Sequence, residues 1–249
     1  MHASTIPLPD LVEIPSGEFH MGAGEDDKFA TMLELPRHRV CISHPFALGK
    51  FPVTFAEWDA YVEACPGAWS PPDYGMGRDA LPVGSVSWED VQTYLAWLRE
   101  ATGMPFRLPT EAEWEYACRA GTTTTFYTGD DLSTQQANYW YSENGMKIGP
   151  GCALPVGAFP ANAFGLHDMH GNICELVADT WHDGYAGLPA DGSAFTDSAS
   201  RLVVTRGGSW DYAARLLRAA FRDWVERSRR FDNIGFRLAL SIDLTLDAL

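Results

Sequence analysis

The sequence predicts an α+β fold, a single compact domain with little regular secondary structure. Three capping boxes, each a hydroxyl side chain followed three residues later by an acid, predict helices in the first half of the chain. From residue 122 onward the chain consists of short segments rich in Gly, Pro, Asn, Asp and Trp, which indicates strands joined by loops. No flexible linker, repeat or low-complexity tract divides it. We therefore expect one domain over residues 1–249.

Short strands are predicted at the start of the chain. Residues 11–14 and 18–21 are apolar-rich runs on either side of Pro15-Ser16-Gly17, which is typical of a β-hairpin. Residues 39–42 and 46–48 are two further short apolar runs. The amino-terminal part of the chain is therefore expected to be β structure.

The helices follow, each with a start signal and a stop signal. Three pairs form the capping boxes: Thr54 with Glu57, Ser87 with Asp90, and Thr110 with Glu113. Apolar residues at helical spacing follow the second pair: Val91, Tyr94, Leu95 and Leu98. Helix-stopping glycines come next: Gly67, Gly103 and Gly121.

Two later runs predict strands near the end of the chain. Residues 202–205 precede Arg206-Gly207-Gly208-Ser209-Trp210, whose paired glycines permit a tight bend and a close approach of the backbone. Residues 235–240 read as a final core strand that contains Arg237. That arginine needs an acidic partner if it is buried.

The composition excludes several classes of protein. The chain has 249 residues, 46% of them apolar, which excludes intrinsic disorder, and its five scattered cysteines exclude a disulfide-rich scaffold. No run is apolar enough to span a membrane, and residues 1–7 lack the basic and apolar parts of a signal peptide. A net charge of −15 argues against nucleic-acid and membrane binding. We expect a cytoplasmic protein without either partner.

The charge is distributed unevenly. Residues 201–237 contain nine arginines against four acids, so this basic segment carries +5 while the rest of the chain carries −20. Arginine, tyrosine and tryptophan are favoured at binding hot spots. The segment therefore predicts a ligand-binding surface at 211–231, for a protein or a small molecule, with these contact candidates: Tyr212, Phe221, Arg222, Trp224 and Arg227. The alternative is that the arginines form ion pairs with the acids elsewhere in the chain.

The segment 165–175 predicts a metal site. Asp168 and Glu175 are hard oxygen donors, and the intervening Gly171-Asn172 favours a turn that directs carbonyl groups inward. Calcium prefers such mixed carboxylate and carbonyl ligands, whereas the alternative is an ordinary turn with surface carboxylates.

Three histidines suggest a second kind of metal site. His167, His170 and His182 are suited to iron or zinc, with ordinary hydrogen-bonded histidines as the alternative. Phosphate loops, dinucleotide-binding fingerprints and Cys-x-x-Cys pairs are absent from the sequence.

An ordered series of motifs resembles the formylglycine-generating-enzyme (sulfatase-modifying factor) family over about residues 10–240. The series comprises residues 50–61, 81–88, the block Arg107-Leu108-Pro109-Thr110-Glu111-Ala112-Glu113-Trp114-Glu115-Tyr116-Ala117, and residues 165–175, 206–210 and 235–237. The resemblance implies a fold related to C-type lectins, with bound calcium. It also implies the calcium ligands: the side chains of Asp168 and Glu175 and the carbonyls of Gly171 and Ile173. A second calcium site of the family would begin at Asn138-Tyr139, but its later acidic ligand has no match here.

The chain departs from this family where the enzymes bind copper. In those enzymes two cysteines just after Gly-Gly-Ser hold Cu(I), a soft ion that needs thiolates. Residues 211–218 contain no cysteine, so copper binding and formylglycine generation are not expected.

The resemblance leaves two branches of the family open. One uses the fold as a bacterial binding scaffold, including the variable proteins of diversity-generating retroelements. The other is a cysteine-less oxidoreductase branch typified by pyoverdine maturation, for which iron is the candidate metal. Our leading prediction is a calcium-stabilised binding module that uses the 211–231 surface, and the oxidoreductase is the alternative.

Overall fold

A computed structural model describes residues 7–242 of the chain. The two ends of the predicted domain, and most of the segment considered for a signal peptide, lie outside the described residues. Three helices are present: α1 (Phe55–Ala64), α2 (Trp88–Thr102) and α3 (Glu111–Arg119). The strands are β1 (Leu11–Ile14), β2 (Gly17–Met21), β3 (His38–Ile42), β4 (Phe46–Gly49), β5 (Phe106–Arg107), β6 (Cys174–Thr180), β7 (Leu202–Arg206), β8 (Arg222–Glu226), β9 (Ile234–Phe236) and β10 (Ala239–Ser241).

The three helices begin at the predicted capping boxes. In each, the hydroxyl side chain accepts from the backbone N–H three residues on, and the acid there accepts in return from the cap residue's N–H. α2 ends at Gly103, whose φ of 71° is one that glycine adopts without strain. α3 ends one residue before the predicted stop, because Ala120 already takes the left-handed conformation.

The predicted amino-terminal hairpin is wrong. β1 pairs with β4 and β2 pairs with β3, so the two runs belong to different sheets. Gly17 is small for a packing reason rather than for a turn, since a Cβ there would overlap the hydroxyl of Tyr116 on α3. The run 15–17 therefore carries the chain from one sheet to another.

Two four-stranded sheets organise the rest of the molecule. The first has the order β1-β4-β10-β5, which joins the two ends of the described chain. The second has the order β8-β7-β6-β9, and β9 runs parallel to β6. The predicted single strand at 235–240 is instead two strands, β9 and β10, one in each sheet. The chain crosses between the sheets at Arg237, whose side chain is fully buried.

The core consists of two main clusters of buried side chains. One packs α1 and α2 together, with Trp58 stacked on Tyr94 at 5.1 Å between ring centroids. The other surrounds Trp114 of α3, together with Met169 and Val204. This mixed helix and strand architecture, with long irregular segments, confirms the predicted α+β class. Among residues 7–242 no helix combines the length and apolarity that crossing a membrane requires.

Candidate functional site

Four arginines of the basic segment lie inside the protein as ion-pair partners. Arg237 donates to Glu175 through Nε and Nη2, both at 2.7 Å. Arg206 donates to Glu115 at 2.5 Å, and Arg218 holds Glu34 through two nitrogens at 2.6 and 2.7 Å. Many arginines of the basic segment 201–237 therefore serve as internal ion-pair partners for acidic residues elsewhere in the chain, which accounts for much of the uneven charge distribution in the sequence.

Arg222 is the fourth of these buried arginines, which corrects its place among the predicted ligand contacts. Its Nε and Nη2 donate to the Glu111 carboxylate at 2.8 and 2.7 Å, and Nη1 donates to the His182 carbonyl at 2.9 Å. The guanidinium also lies over the rings of Trp181 and Tyr185. Only 2% of the residue is exposed, so it offers no surface to an outside ligand.

The exposed part of the predicted surface lies at its carboxyl-terminal end. Trp224 on β8 is 48% exposed and Phe231 is 42% exposed. The guanidinium of Arg230 lies 4.2 Å from the ring centroid of Trp69, which is itself 38% exposed. We refer to the following residues as the aromatic surface: Trp69, Trp224, Arg227, Arg229, Arg230 and Phe231.

The three arginines of the aromatic surface are placed differently. Arg230 is held by Asp90 through two nitrogens at 2.7 and 2.8 Å. Arg227 stacks over Trp88 and donates to the Asp197 carbonyl at 3.3 Å, while its Nε has no partner. Arg229 lies over Phe231, and within residues 7–242 neither Arg227 nor Arg229 forms an ion pair. Two of these cations are therefore open to an anionic ligand.

Tyr212 and Phe221 lie beside a polar cluster rather than on the aromatic surface. They contact each other edge to face, and the Tyr212 hydroxyl donates weakly to Asp223 at 3.5 Å. The Ser209 hydroxyl donates to Asp211 at 2.5 Å, and Asn233 donates to the same carboxylate at 3.0 Å. We call this group the Tyr212 cluster: Cys174, Ser209, Asp211, Tyr212, Asp223 and Asn233. It occupies the region where the sequence lacks the copper cysteines, and no motif in the sequence indicated Cys174 or Asn233 as members.

Several titratable groups of the Tyr212 cluster have a raised pKa. Burial raises the pKa of the Cys174 thiol well above its usual range. The adjacent Cys174, together with burial, raises the pKa of the Tyr212 phenol, and burial raises the pKa of Asp223. A single protonated thiol does not supply the pair of thiolates that Cu(I) prefers.

The three histidines proposed for iron are not brought together as ligands. His170 accepts at Nε2 from the Tyr127 N–H at 3.0 Å, so its Nδ1 carries the proton and donates to the Leu217 carbonyl at 2.7 Å. Burial lowers the pKa of His170 to about 3. His167 and His182 bond to carbonyls elsewhere, and no group of three metal-ligating side chains occurs among residues 7–242. The residues do not fit an iron site.

The proposed calcium ligands divide into two kinds. Asp168, with φ 57°, is buried; its Oδ2 accepts from the Gly157 N–H at 2.7 Å, and its Oδ1 has no partner. Glu175 instead accepts three bonds, two from Arg237 and one from Trp114 Nε1 at 2.7 Å. The carbonyl of Gly171 accepts from the Ile173 N–H, and Asn138 Oδ1 is a second buried oxygen without a partner. Asp168 Oδ1 at the first predicted calcium site and Asn138 Oδ1 at the second are thus open hard donors, whereas Glu175 is committed to an arginine.

The comparisons with known proteins agree with this architecture. The model of the sulfatase-modifying factor enzyme 1-like domain matches residues 1–242. The chain belongs to this family. The formylglycine-generating enzyme of Mycobacterium tuberculosis is 32% identical over 237 residues, which cover 70% of this chain and 75% of that one. A serine/threonine-protein kinase, pkn1 of Chlamydia pneumoniae, is 29% identical, and the chain spans 38% of its length.

Two solved structures share the family fold. PvdO from Pseudomonas aeruginosa is 36% identical with a TM-score of 0.85, covering 94% of this chain and 95% of that one. Treponema denticola variable protein 1 has a TM-score of 0.74 at 20% identity, covering 93% and 95%, so it shows the fold alone. The predicted family, and the formylglycine-generating-enzyme and C-type-lectin-like fold, are confirmed.

Proposed function

We propose that this family member is a ligand-binding module that captures a protein segment on the aromatic surface. The observation that carries the proposal is the exposure of Trp224, Phe231 and Trp69, together with two arginines that form no ion pair within residues 7–242. Large aromatic side chains left half-exposed together with arginine are the composition of binding hot spots. Arg222, by contrast, is buried, and its ion pair with Glu111 stabilises the fold beneath this surface.

The geometry of β8 favours recognition by side chains rather than by strand addition. β8 is the outer strand of its sheet, and outer strands present N–H and C=O groups that can pair with another chain. Here the Trp224 N–H already donates to Asp223 Oδ1 at 2.9 Å. The indole of Trp224, rather than its backbone, is therefore the group offered to a ligand.

The charges point to an acidic and aromatic ligand segment. Arg227 and Arg229 are cations without an acidic partner in residues 7–242, and each lies against an aromatic ring. A carboxylate can take their free N–H groups, while an aromatic ring can pack on Trp224. A small molecule of the same chemistry would satisfy the same contacts.

Calcium is part of this proposal as a stabilising ion. Asp168 Oδ1 and Asn138 Oδ1 are buried oxygens that lack a hydrogen-bond partner within residues 7–242, and such atoms are rare unless an ion or water completes them. Asp168 would contribute a ligand at the first predicted calcium site, and Asn138 would contribute one at the second. A bound calcium would tie together the loops that carry them and so support the fold.

A peptide-display selection tests the proposed function. The library is random in sequence and is panned against the wild-type protein, with the Trp224→Ser variant used for counter-selection. We expect enriched peptides that combine acidic and aromatic residues and that the variant does not retain. Enrichment of peptides without that composition, or equal retention by both proteins, would contradict the proposal.

A cysteine-less oxidoreductase is the second candidate. It is supported by the 36% identity to PvdO over nearly the whole chain and by the Tyr212 cluster, which fills the former copper region with hydroxyl and carboxyl groups. Metal analysis of protein purified without chelator separates the two candidates. Calcium alone favours the binding module, and stoichiometric iron or copper favours the oxidoreductase. Turnover of a Cys-x-Pro-x-Arg peptide with added copper would show instead that the protein generates formylglycine.

A further inference from the structure

A groove of about 970 Å³ runs beside α2 and meets the aromatic surface at Trp88, over which Arg227 lies. We propose that this groove binds an amphipathic carboxylate, an acyl chain of medium length whose head group is held by Arg99. The volume lies within the range of small-molecule sites, about 300–1,000 Å³. The inference concerns a different ligand from that of the aromatic surface and stands on the lining, the length and the charge of the groove.

One wall of the groove is a single face of α2. Trp88, Gln92, Leu95 and Arg99 line it, and their spacings of four, three and four residues place them in one stripe along the helix. The indole N–H of Trp88 is occupied, since it donates to the Val177 carbonyl at 3.2 Å. Trp88 therefore offers the groove an apolar ring.

The facing wall comes from several other elements, and most of it is apolar. It includes the turn between β3 and β4, the start of the segment after β5, and β6; its apolar members are Ile42, Pro45, Phe46, Leu108, Ala178 and Ala194. Apolar surface of this kind gains free energy when it is covered by hydrocarbon instead of water. The body of the ligand is therefore a hydrocarbon chain.

The charges along the groove select an anionic head group. Arg107 and Glu113 neutralise each other through two bonds at 2.6 and 2.7 Å. Asp191 already accepts from the N–H and hydroxyl of Ser193. Arg99 is exposed and forms no ion pair with any residue in 7–242. A carboxylate is the group that such a guanidinium binds best.

The helix sets the length of the ligand. Trp88 and Arg99 are eleven residues apart, which corresponds to about 16 Å at the rise of an α-helix. An extended hydrocarbon chain covers that distance with about twelve carbons, given ordinary bond lengths. Dodecanoate is therefore the natural probe, with its carboxylate at Arg99 and its methyl end near Trp88.

Isothermal titration calorimetry with dodecanoate, below its aggregation concentration, tests the proposal on the full chain. We expect saturable binding, weakened about tenfold by Arg99→Gln because one charge-assisted interaction is lost. The exposed Arg201→Gln is the matched control and should bind as the wild type does. Ala194→Phe, which fills the groove from the facing wall, should also weaken binding. Acetate and dodecyltrimethylammonium, which lack the chain and the negative charge respectively, should give no saturable heat.

Three results would overturn the proposal. The first is no saturable binding of dodecanoate to the wild type. The second is equal binding of the anionic and cationic probes with no effect of Arg99→Gln, which would show that the head group is not recognised. The third is dodecanoate binding only to a chain ended at Ile242, which would make the carboxyl-terminal residues the occupant of the groove. Circular dichroism of each variant separates loss of fold from loss of binding.

Discussion

Arg222 and Glu111 form a buried pair in which the guanidinium donates two hydrogen bonds of 2.8 and 2.7 Å to one carboxylate. The pair joins β8 to the first residue of α3, and so it fixes the outer strand that carries Trp224 to the helical half of the fold. An arginine that resembles a ligand contact in the sequence is thereby a structural support of the surface next to it.

Removing that support should destabilise the protein strongly. We expect Arg222→Met to lower the free energy of unfolding by about 3 kcal/mol, because the buried Glu111 carboxylate would lose two short hydrogen bonds and, within residues 7–242, keep only Arg206 at 3.4 Å and the Tyr185 hydroxyl at 3.3 Å. Urea unfolding followed by circular dichroism measures the loss. Arg229→Met, at an exposed arginine of the same segment, is the control and should change stability by no more than about 0.5 kcal/mol. Similar losses in both variants would contradict the structural role.

His170 should make the protein sensitive to acid. The pKa of His170 in the folded protein is about 3, against an ordinary 6.5. Between these two pH values the unfolded chain therefore binds a proton on this residue that the native chain does not bind. The contribution of neutral His170 is therefore complete above pH 6.5 and declines as the pH falls toward 3, at up to about 1.4 kcal/mol per pH unit. Urea unfolding at several pH values compares the slopes. His170→Gln should flatten the slope in this window, whereas His20→Gln, at an exposed position on β2, should leave it unchanged.

Asp179 should make the protein less stable as the pH rises, which is the opposite of the effect of His170. Burial and the neighbouring Glu111 raise the pKa of Asp179 to about 7, so the native chain holds a proton that the unfolded chain has already lost. Its protonated form favours folding at pH 4, and this advantage disappears as the pH rises through 7. We expect Asp179→Asn to gain stability relative to wild type between pH 5 and pH 7.5 in the same titration. A constant difference across that range would show that Asp179 ionises normally.

The cysteines should separate by reactivity. Cys118 and Cys174 are buried, and burial raises the pKa of the Cys118 thiol to about 12. Cys41, Cys65 and Cys152 are partly exposed. Iodoacetamide at pH 8 should therefore label these three in the native protein and all five after denaturation, as read by mass spectrometry. Rapid native labelling of Cys174 would mean that the Tyr212 cluster is open and holds a reactive thiol.

The helices could be predicted from the sequence because their signals are local. Thr54, Ser87 and Thr110 each bond within three residues, and each helix starts there. The strand pairings could not be predicted in the same way. Residues 11–14 pair with β4 because the first sheet brings distant segments together, and a nearby Pro-Ser-Gly run carries no information about that partner.

The sequence predicted the kind of site, an exposed surface of aromatic residues and arginines, but only some of the residues that form it. Trp224 is exposed, as the hot-spot composition suggested, but nothing in the sequence distinguishes Arg222, which meets Glu111 across 111 positions, from Arg229, which meets no acid in residues 7–242. Ion pairs between distant segments depend on the tertiary fold. Alternation along β8 could not have placed Arg222 inside, because it puts Arg222 on the same face as the exposed Trp224 and Glu226.

The central claim is that Trp224 presents the ligand contact while the buried arginines only hold it in place. The most direct measurement is the affinity of one selected acidic and aromatic peptide for three proteins, by fluorescence anisotropy: wild type, Trp224→Ala and Ile148→Ala, an exposed apolar position outside the aromatic surface. We predict that Trp224→Ala weakens binding about 30-fold or more, as for a hot-spot residue of about 2 kcal/mol, with Ile148→Ala unchanged. Equal affinities in all three proteins, with wild-type folding of the Trp224→Ala variant, would contradict the account.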